Sequence, residues 1–260
     1  MDFLYSIHLA ILGPLVIIGF VGLSIAGLWL FQKFTNREGL KESHDVAGFI
    51  YAVVGVIYAV VLAFVVIVVW EQYREADKVS QEEACHVGNL RRLAVSFPDS
   101  IRTEIKARTL EYLESVVARE WPAMATGHED QATYLKVETI WKCYNQYHPE
   151  EPQEAAYNES LRELAGFTTD RRLRVIRSSA TIPPILWLLL FGGGVVSILF
   201  TYFFTTPKPG TQYMMTGLLA ALIALTLFLI IAMDRPFSGE FRVAPDAFEY
   251  LIHHAEVSGS

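Results

Sequence analysis

Glu83 and His86 have a spacing that metal-binding helices use. Residues three apart share one face of a helix, and di-metal helical bundles hold their ions with Glu-x-x-His pairs of this kind. Such a site needs a second pair and two further glutamates, whereas the other glutamate that precedes a histidine at helical spacing is Glu249, beside His253 and His254, in the last dozen residues. We therefore expect Glu82, Glu83 and His86 to form a solvated helix face, and we predict no metal site.

No other pattern in the sequence supplies a catalytic centre. There is no phosphate-binding loop, zinc-ligand spacing or Gly-x-Ser-x-Gly turn. Cys85 and Cys143 allow a single pairing at most, so we expect ordinary core thiols rather than a disulfide framework. The formal net charge of -7 argues against a nucleic-acid partner. We predict a protein that is not an enzyme and that has no cofactor.

A membrane-crossing helix is expected over residues 46–70, and the rest of the chain is organised around it. These 25 residues include no charged side chain. At a rise of about 1.5 Å per residue they extend for roughly 37 Å, more than the hydrocarbon core of about 30 Å. A charged, amphipathic segment follows directly, so we expect the same helix to continue in water.

This second span carries two rows of residues, and a later span carries three consecutive glycines. The first row, here called the tyrosine row, contains Gly48, Tyr51, Gly55, Tyr58 and Leu62. In an oligomer it would line a pore and present hydroxyl groups to ions; packing against a neighbouring helix is the alternative. The other residues predicted to pack against helices are Ala59 and Ala63, which continue from Gly55 at four-residue intervals, and Gly192, Gly193 and Gly194.

Three further uncharged stretches predict spans at residues 3–32, 185–204 and 212–233. Pro14 is expected to kink the first of them. That stretch lacks the basic start and the cleavage site of a signal peptide, so we interpret it as a span. The loop at residues 33–45 is short and polar, and Asp45 is well placed to cap the second span.

Helical periodicity also predicts a bundle between the second and third spans. The extension of the second span is expected to end near Phe97. Capping-box spacing at residues 96–99 and 126–129 predicts two further helix starts, and a last helix is expected from about Pro152 to Thr181. The predicted fold class is therefore all-α, a polytopic membrane protein with four transmembrane helices and an inserted helical bundle.

Four segments follow from these predictions. Residues 1–70 hold the first two spans, residues 71–182 the helical domain, and residues 183–233 the third and fourth spans. Residues 234–260 form a short amphipathic tail, which is expected to lie along the membrane or to dock on the bundle.

Positive residues near the span ends favour one orientation. If residues 71–182 are cytoplasmic, eight such residues lie on that side and four on the other. The eight are Arg74, Lys78, Arg171, Arg172, Arg174, Arg177, Arg235 and Arg242, and the four are Lys33, Arg37, Lys41 and Lys208. The first span alone favours the opposite orientation, because the basic residues are in the loop that follows it. We predict a multi-pass protein of the cell inner membrane with both termini and residues 71–182 in the cytoplasm.

Five short motifs extend over nearly the whole chain. They are residues 44–49 (HDVAGF), 70–72 (WEQ), 120–124 (EWPAM), 170–172 (DRR) and 234–239 (DRPFSG). Together they resemble the bacterial bestrophin-like membrane proteins, which are grouped as a domain of unknown function. Bestrophins are pentameric anion channels with four spans per subunit and a helical cytosolic domain, so the resemblance implies a channel of that architecture. The sequence departs from bestrophins in two ways: it has no acidic calcium clasp that can be placed, and it offers no counterpart of their aromatic neck beyond Phe49 and Phe64.

The predicted function is therefore that of a homo-oligomeric, bestrophin-like ion channel lined by the second span. The expected partners are the lipid bilayer, further copies of the chain and a small inorganic ion. The alternative is a membrane-anchored sensor or interaction module whose helical bundle binds a partner protein. The oligomeric state distinguishes the two hypotheses, because a monomer has no axis to line.

Overall fold

A computed structural model describes residues 9–35, 44–204, 206 and 208–257 of the chain. Within these ranges the protein is helical and contains no β-strand. The α-helices are α1 (Leu9–Phe34), α2 (His44–Leu93), α3 (Asp99–Ser115), α4 (Trp121–Met124), α5 (Gln131–Gln146), α6 (Glu154–Ser178), α7 (Pro184–Tyr202), α8 (Pro209–Met233) and α9 (Asp246–Val257). Two 3₁₀ turns, Ala94–Ser96 and Glu151–Gln153, and one π-helical turn, Val116–Glu120, connect some of them.

Four of the helices are long and apolar enough to cross a membrane, namely α1, α2, α7 and α8. A helix suits such sequences because it satisfies every backbone hydrogen bond within one segment, which lipid requires. The all-helical class and the four apolar helices are confirmed. The second span and its charged extension also form one continuous helix, α2, of 50 residues.

The chain divides into two compact units. The membrane unit is made of Met1–Glu71 and Thr181–Asp234, and the helical unit of Gln72–Ala180 and Arg235–Ser260.

In the membrane unit, α1 packs along α8 and continues through Pro14. At the end of α7, the Tyr202 hydroxyl donates a hydrogen bond to the Ser24 carbonyl oxygen at 2.7 Å. Gly27 makes room for this tyrosine, since a Cβ atom there would lie 2.6 Å from the hydroxyl oxygen. Close approach of helices at glycine is typical of membrane packing, where no hydrophobic effect drives helices together.

In the helical unit, the charged half of α2, together with α3, α5 and α6, surrounds a core of buried apolar side chains. The inward face of α2 includes Ala76, Val87 and Leu90, which are fully buried. The tail joins this core: the Phe248 side chain of α9 is fully buried. Of the two expected positions for the tail, docking on the bundle is the one observed.

Two helices begin within a few residues of the predicted starts, but the capping residues predicted for them are wrong. α3 begins after Pro98, with no side chain capping it. α5 begins after Asp130, whose carboxylate accepts a hydrogen bond from the Thr133 backbone N–H at 2.8 Å. The Thr126 hydroxyl donates instead to the Ala123 carbonyl oxygen at 2.8 Å, so it closes the preceding turn. The predicted cap at Asp45 lies outside the described side chains.

Candidate functional site

The tyrosine row of α2 lies on the side of this helix that packs against the rest of the membrane unit. Tyr58 is 7% exposed, and its hydroxyl donates a hydrogen bond to the Leu190 carbonyl oxygen at 2.8 Å. The ring lies against Gly193, where a Cβ atom would be 2.4 Å from the ring. A Cβ atom at Gly194 would be 3.0 Å from the hydroxyl oxygen. A side chain at position 193 would force the ring or the helix to move, and one at position 194 would fit only tightly.

Of the other predicted site residues, some are partly buried and some are exposed. The Tyr51 ring contacts the Phe204 ring at a centroid distance of 5.5 Å. Gly48 and Leu62 are half-buried, whereas Ala59 and Ala63 are exposed. At Gly55 and Gly192 a Cβ atom would meet no other atom within 4 Å. No neighbouring atom approaches a Cβ position at Gly55 or Gly192, and Ala59 and Ala63 are exposed, so the packing role of these four residues stays a prediction.

The opposite side of α2 presents an exposed apolar stripe. It is formed by Phe49, Val53, Val56, Val60 and Ile67, with Phe64 beside it. At about 100° per residue, these positions fall on one helix face, opposite the tyrosine row. Phe49 is 78% exposed and Phe64 65% exposed. Large apolar side chains are thus available to lipid or to another protein along most of the span.

A buried charge cluster lies in the core of the helical unit. Its members are Glu83 of α2, Glu120 of the π-helical turn, and Arg171 and Arg174 of α6, joined by Tyr112 of α3. Both side chains of the Arg174–Glu83 pair are 0% exposed. The cluster therefore brings together residues that are far apart in the sequence, in a place where unpaired charge would be very unfavourable.

Arg174 is the centre of the cluster. Its Nε and Nη2 atoms donate to the two oxygens of Glu83 at 2.6 and 3.0 Å. Nη2 also donates to Glu120 Oε2 at 2.7 Å. Arg171 donates to the other Glu120 oxygen, and the Tyr112 hydroxyl donates to Glu83. Two glutamates and two arginines thus neutralise each other with most of their hydrogen-bonding atoms paired.

Aromatic rings complete the surroundings of Arg174. Its guanidinium lies 5.0 Å from the centre of the Trp121 ring and 5.5 Å from that of Phe248. Burial by itself lowers the pKa of Arg174, but the negative charges of Glu83 and Glu120 more than compensate, and the pKa is raised. Burial also raises the pKa of Tyr112 well above its ordinary value, so its hydroxyl stays a donor.

The expectation of a solvated face at Glu82, Glu83 and His86 is wrong for Glu83. Glu82 is exposed, but Glu83 is fully buried and His86 is partly covered. The sequence does contain an indication that Glu83 is buried, because it falls in register with Ala76, Val87 and Leu90 on the apolar face of α2. A charged residue in such a register is buried when a partner of opposite charge reaches it.

The charge cluster also weakens the orientation argument. Arg171 and Arg174 were counted as basic residues at a span end, yet both are buried and paired with carboxylates. Removing them leaves six basic residues on the side of residues 71–182 against four on the other side. Because carboxylates match the charge of these two arginines in the folded chain, the excess of unmatched positive charge on that side is smaller than the sequence count.

The two cysteines differ from each other. Both are free thiols. Cys143 is a buried core thiol as expected, whereas Cys85 is exposed, so the expectation for Cys85 is wrong. Its position on α2, one residue after the buried Ala84, faces away from the core.

A groove of about 720 Å³ runs between α2 and the segment that leads into α9. Polar side chains, including Gln81, Asn89 and Arg242, mix with apolar ones such as Leu251 along its length. Its volume is in the range of small-molecule sites. Within the described ranges, no three histidine, cysteine or acidic side chains are arranged to hold a metal ion.

Comparison with protein families identifies the relatives of this chain. A family model described as Bestrophin-like domain matches residues 18–248. The chain belongs to the bestrophin-like family. A comparison with curated proteins gives no match. The four apolar helices and the family together make this bestrophin-like chain a membrane protein.

Several motifs that carried the resemblance meet in the helical unit of this bestrophin-like protein. Glu120 pairs with Arg171, which joins the EWPAM and DRR motifs. Trp121 contacts Phe237 of the DRPFSG motif at a ring-centroid distance of 5.5 Å. The Ser238 hydroxyl donates to the Ala125 carbonyl oxygen at 2.5 Å. These motif residues therefore build one structural centre around the charge cluster.

Proposed function

We propose that this bestrophin-like protein is a homo-oligomeric ion channel of a bacterial inner membrane. The observation that carries the proposal is the exposed apolar stripe of α2, which includes Phe49 and Phe64. In this proposal the stripe of each subunit faces the oligomer axis. The partners are then lipid, further copies of the chain and a small inorganic ion, with no cofactor.

The chemistry of the stripe suits a gate. A ring of phenylalanine and valine side chains holds no favourable site for an ion, and a narrow apolar constriction gates by losing its water. The tyrosine row suits this role less well, because the Tyr58 hydroxyl is already bonded to the Leu190 carbonyl oxygen. The proposal therefore assigns the lining to the face with Phe49 and Phe64 and assigns packing to the tyrosine row.

The same proposal gives the orientation. Residues 71–182 and both termini lie in the cytoplasm, where the free thiols of Cys85 and Cys143 stay reduced. The remaining excess of basic residues on that side supports this orientation.

Cross-linking between subunits tests the proposal. In a background with Cys85→Ser and Cys143→Ala, a Val56→Cys variant in native membranes is expected to form disulfide-linked dimers, because the stripes of neighbouring subunits meet at the axis. Leu188→Cys, at an exposed position on α7, is the matched control and is expected to stay monomeric. Equal cross-linking at the two positions, or none at Val56, would contradict the proposal.

The sensor hypothesis is favoured by one observation, the groove beside α9. If the groove binds a partner protein, an Ala244→Trp variant, which fills it, should lose a protein that co-purifies with the wild-type chain. Ala123→Trp, at a half-buried site outside the groove, serves as the control. Identical co-purification from both variants would count against a partner in the groove.

A further inference from the structure

A pocket of about 340 Å³ lies in the membrane unit, at the end of α7 and the start of α8. Tyr51 of α2, Thr201 of α7 and Gln212 of α8 are among the residues that line it. Thr201 is the last residue but one of α7, and Gln212 is the fourth residue of α8. Both lie within about one turn of a span end, where the hydrocarbon core of a bilayer gives way to its polar interface.

The Gln212 amide has a hydrogen-bond donor without a partner. Its Oε1 atom accepts a hydrogen bond from Gln32 Nε2 at 3.0 Å, and Gln32 Oε1 accepts one from the Tyr213 hydroxyl at 3.1 Å. The remaining end of the Gln212 amide is therefore the NH₂ group. Gln212 is only 5% exposed, and its Nε2 atom has no acceptor among the described residues. A buried N–H without an acceptor is unfavourable, so a ligand that brings an acceptor would stabilise it.

Tyr51 supplies a second free donor, since its hydroxyl has no hydrogen-bond partner within the described ranges. The threonine hydroxyls of the pocket are already used. Thr201 and Thr206 each donate to a backbone carbonyl oxygen, at 2.7 and 2.8 Å. The Thr216 hydroxyl lies 3.1 Å from that of Thr201 and is left as the donor of this pair. Of the described residues that line the pocket, none is charged.

The α8 side of the pocket is apolar and accessible. Met215 lines the pocket and is 60% exposed, and Leu219, one turn further along α8, lines it and is partly buried. Met214 and Leu218 on the same helix are exposed as well. Two neutral donors beside an apolar surface, at the level of the interface, match the part of a phospholipid where ester carbonyls join the acyl chains to the headgroup.

We propose that this pocket binds the glycerol ester region of a phospholipid. The two ester carbonyl oxygens accept hydrogen bonds from the Tyr51 hydroxyl and from the Gln212 amide, which turns its Nε2 atom into the pocket when the lipid is bound. The acyl chains leave along Met215 and Leu219. An ester carbonyl needs only neutral donors and brings no charge into the span, as the uncharged lining requires. The site lies in the membrane unit alone and does not depend on whether the chain conducts ions.

Native mass spectrometry of the delipidated full chain in detergent measures the binding. The probe is a phosphatidylethanolamine with ester-linked chains, compared with the ether-linked lipid that has the same headgroup and chain lengths. Because the ether lipid lacks both carbonyls, its affinity is expected to be at least roughly fivefold lower, the effect of one typical hydrogen bond. Equal affinities would overturn the proposal, because the headgroup or the acyl chains would then account for the binding.

Two pairs of variants locate the site. Tyr51→Phe keeps the ring and removes the free hydroxyl, so it should weaken binding of the ester lipid severalfold; Tyr58→Phe removes a hydroxyl that is bonded to Leu190 and should not. Met215→Trp places an indole in the pocket and should prevent binding, whereas Met214→Trp, at an equally exposed position outside the pocket, should leave it unchanged. Undiminished binding in Tyr51→Phe or Met215→Trp, or equal losses in Met214→Trp and Met215→Trp, would also overturn the proposal.

Discussion

Arg174 is a fully buried guanidinium paired with two carboxylates, so a neutral residue in its place would leave both of them without their main partner. We expect Arg174→Met to lower the free energy of unfolding by about 3–5 kcal/mol, the loss typical when one member of a buried ion pair is removed. Denaturation of the purified chain, followed by circular dichroism, measures it.

The matched control is Arg172→Met, which removes an exposed arginine two positions earlier in α6. It should change the free energy of unfolding by less than about 0.5 kcal/mol. If the two variants were equally stable, the charge cluster would not hold the helical unit together.

The two thiols should also differ in reactivity. Burial raises the pKa of Cys143 to about 11, whereas Cys85 is exposed. Because the thiolate is the nucleophile, a maleimide at about neutral pH should label Cys85 quickly and spare Cys143. Mass spectrometry of the wild-type chain and of Cys85→Ser measures this. Rapid labelling of the Cys85→Ser variant would show that Cys143 is not buried.

The burial of a side chain was predicted correctly where the position in its own helix determines it. It was predicted wrongly where a partner that is distant in the sequence determines it. Cys143 is buried because its own helix faces the core, and periodicity predicts that. The register of Glu83 on the apolar face of α2 is visible in the sequence, but Arg174, the partner that makes its burial possible, lies 91 residues away, and no local pattern in α2 identifies that partner. The resemblance motifs included Glu120 and Arg171 but gave no reason for their presence.

Helices α2 and α7 pack against each other where the Tyr58 ring lies on Gly193. A Gly193→Ala variant would place a methyl group 2.4 Å from the Tyr58 ring, so either the ring or the helix must move. We expect a loss of about 1–3 kcal/mol, as for other overpacked sites. Gly192→Ala is the control, because its methyl group meets no atom within 4 Å. Thermal unfolding in detergent compares them, and equal melting temperatures would contradict the packing described.

A second prediction concerns the residue that caps the start of α5. Asp130→Ala removes the carboxylate that caps the helix and should cost about 1 kcal/mol. Thr126→Ala, in the predicted capping box, should be nearly neutral, because its hydroxyl closes the preceding turn. Denaturation midpoints of the two variants decide between the caps. A larger loss for Thr126→Ala would restore the original prediction.

Helix boundaries were harder to predict than helices for a physical reason. The capping-box pattern needs only two residue types three apart, and such pairs also occur inside turns. At residues 126–129 the pattern is present, yet Asp130 is the residue with extended backbone angles, which a cap requires. The apolar length of a span has no comparable ambiguity, so the four membrane helices were predicted correctly.

A helical membrane protein is predictable from the sequence because a membrane span needs about 20 consecutive apolar residues, and a run of that length is easily recognised. Which face of α2 packs within the subunit was not predictable from hydropathy, since the tyrosine row and the exposed stripe are both apolar. Gly193 and Gly194 of α7 determine which face of α2 packs, because they leave room for the Tyr58 side chain. The face left exposed is the basis of the proposed channel.

Single-channel recording of the purified chain in planar bilayers shows whether the protein is a channel gated at the exposed stripe. We expect the wild-type chain to conduct ions, Phe49→Ala and Phe64→Ala to change the open probability severalfold, and Leu199→Ala, at an exposed site on α7, to change nothing. Tyr58→Phe, which keeps the ring and removes the hydroxyl, should leave the conductance unaltered. Absence of conductance in the wild-type chain, or a conductance that responds to Tyr58→Phe and not to Phe49→Ala or Phe64→Ala, would contradict it.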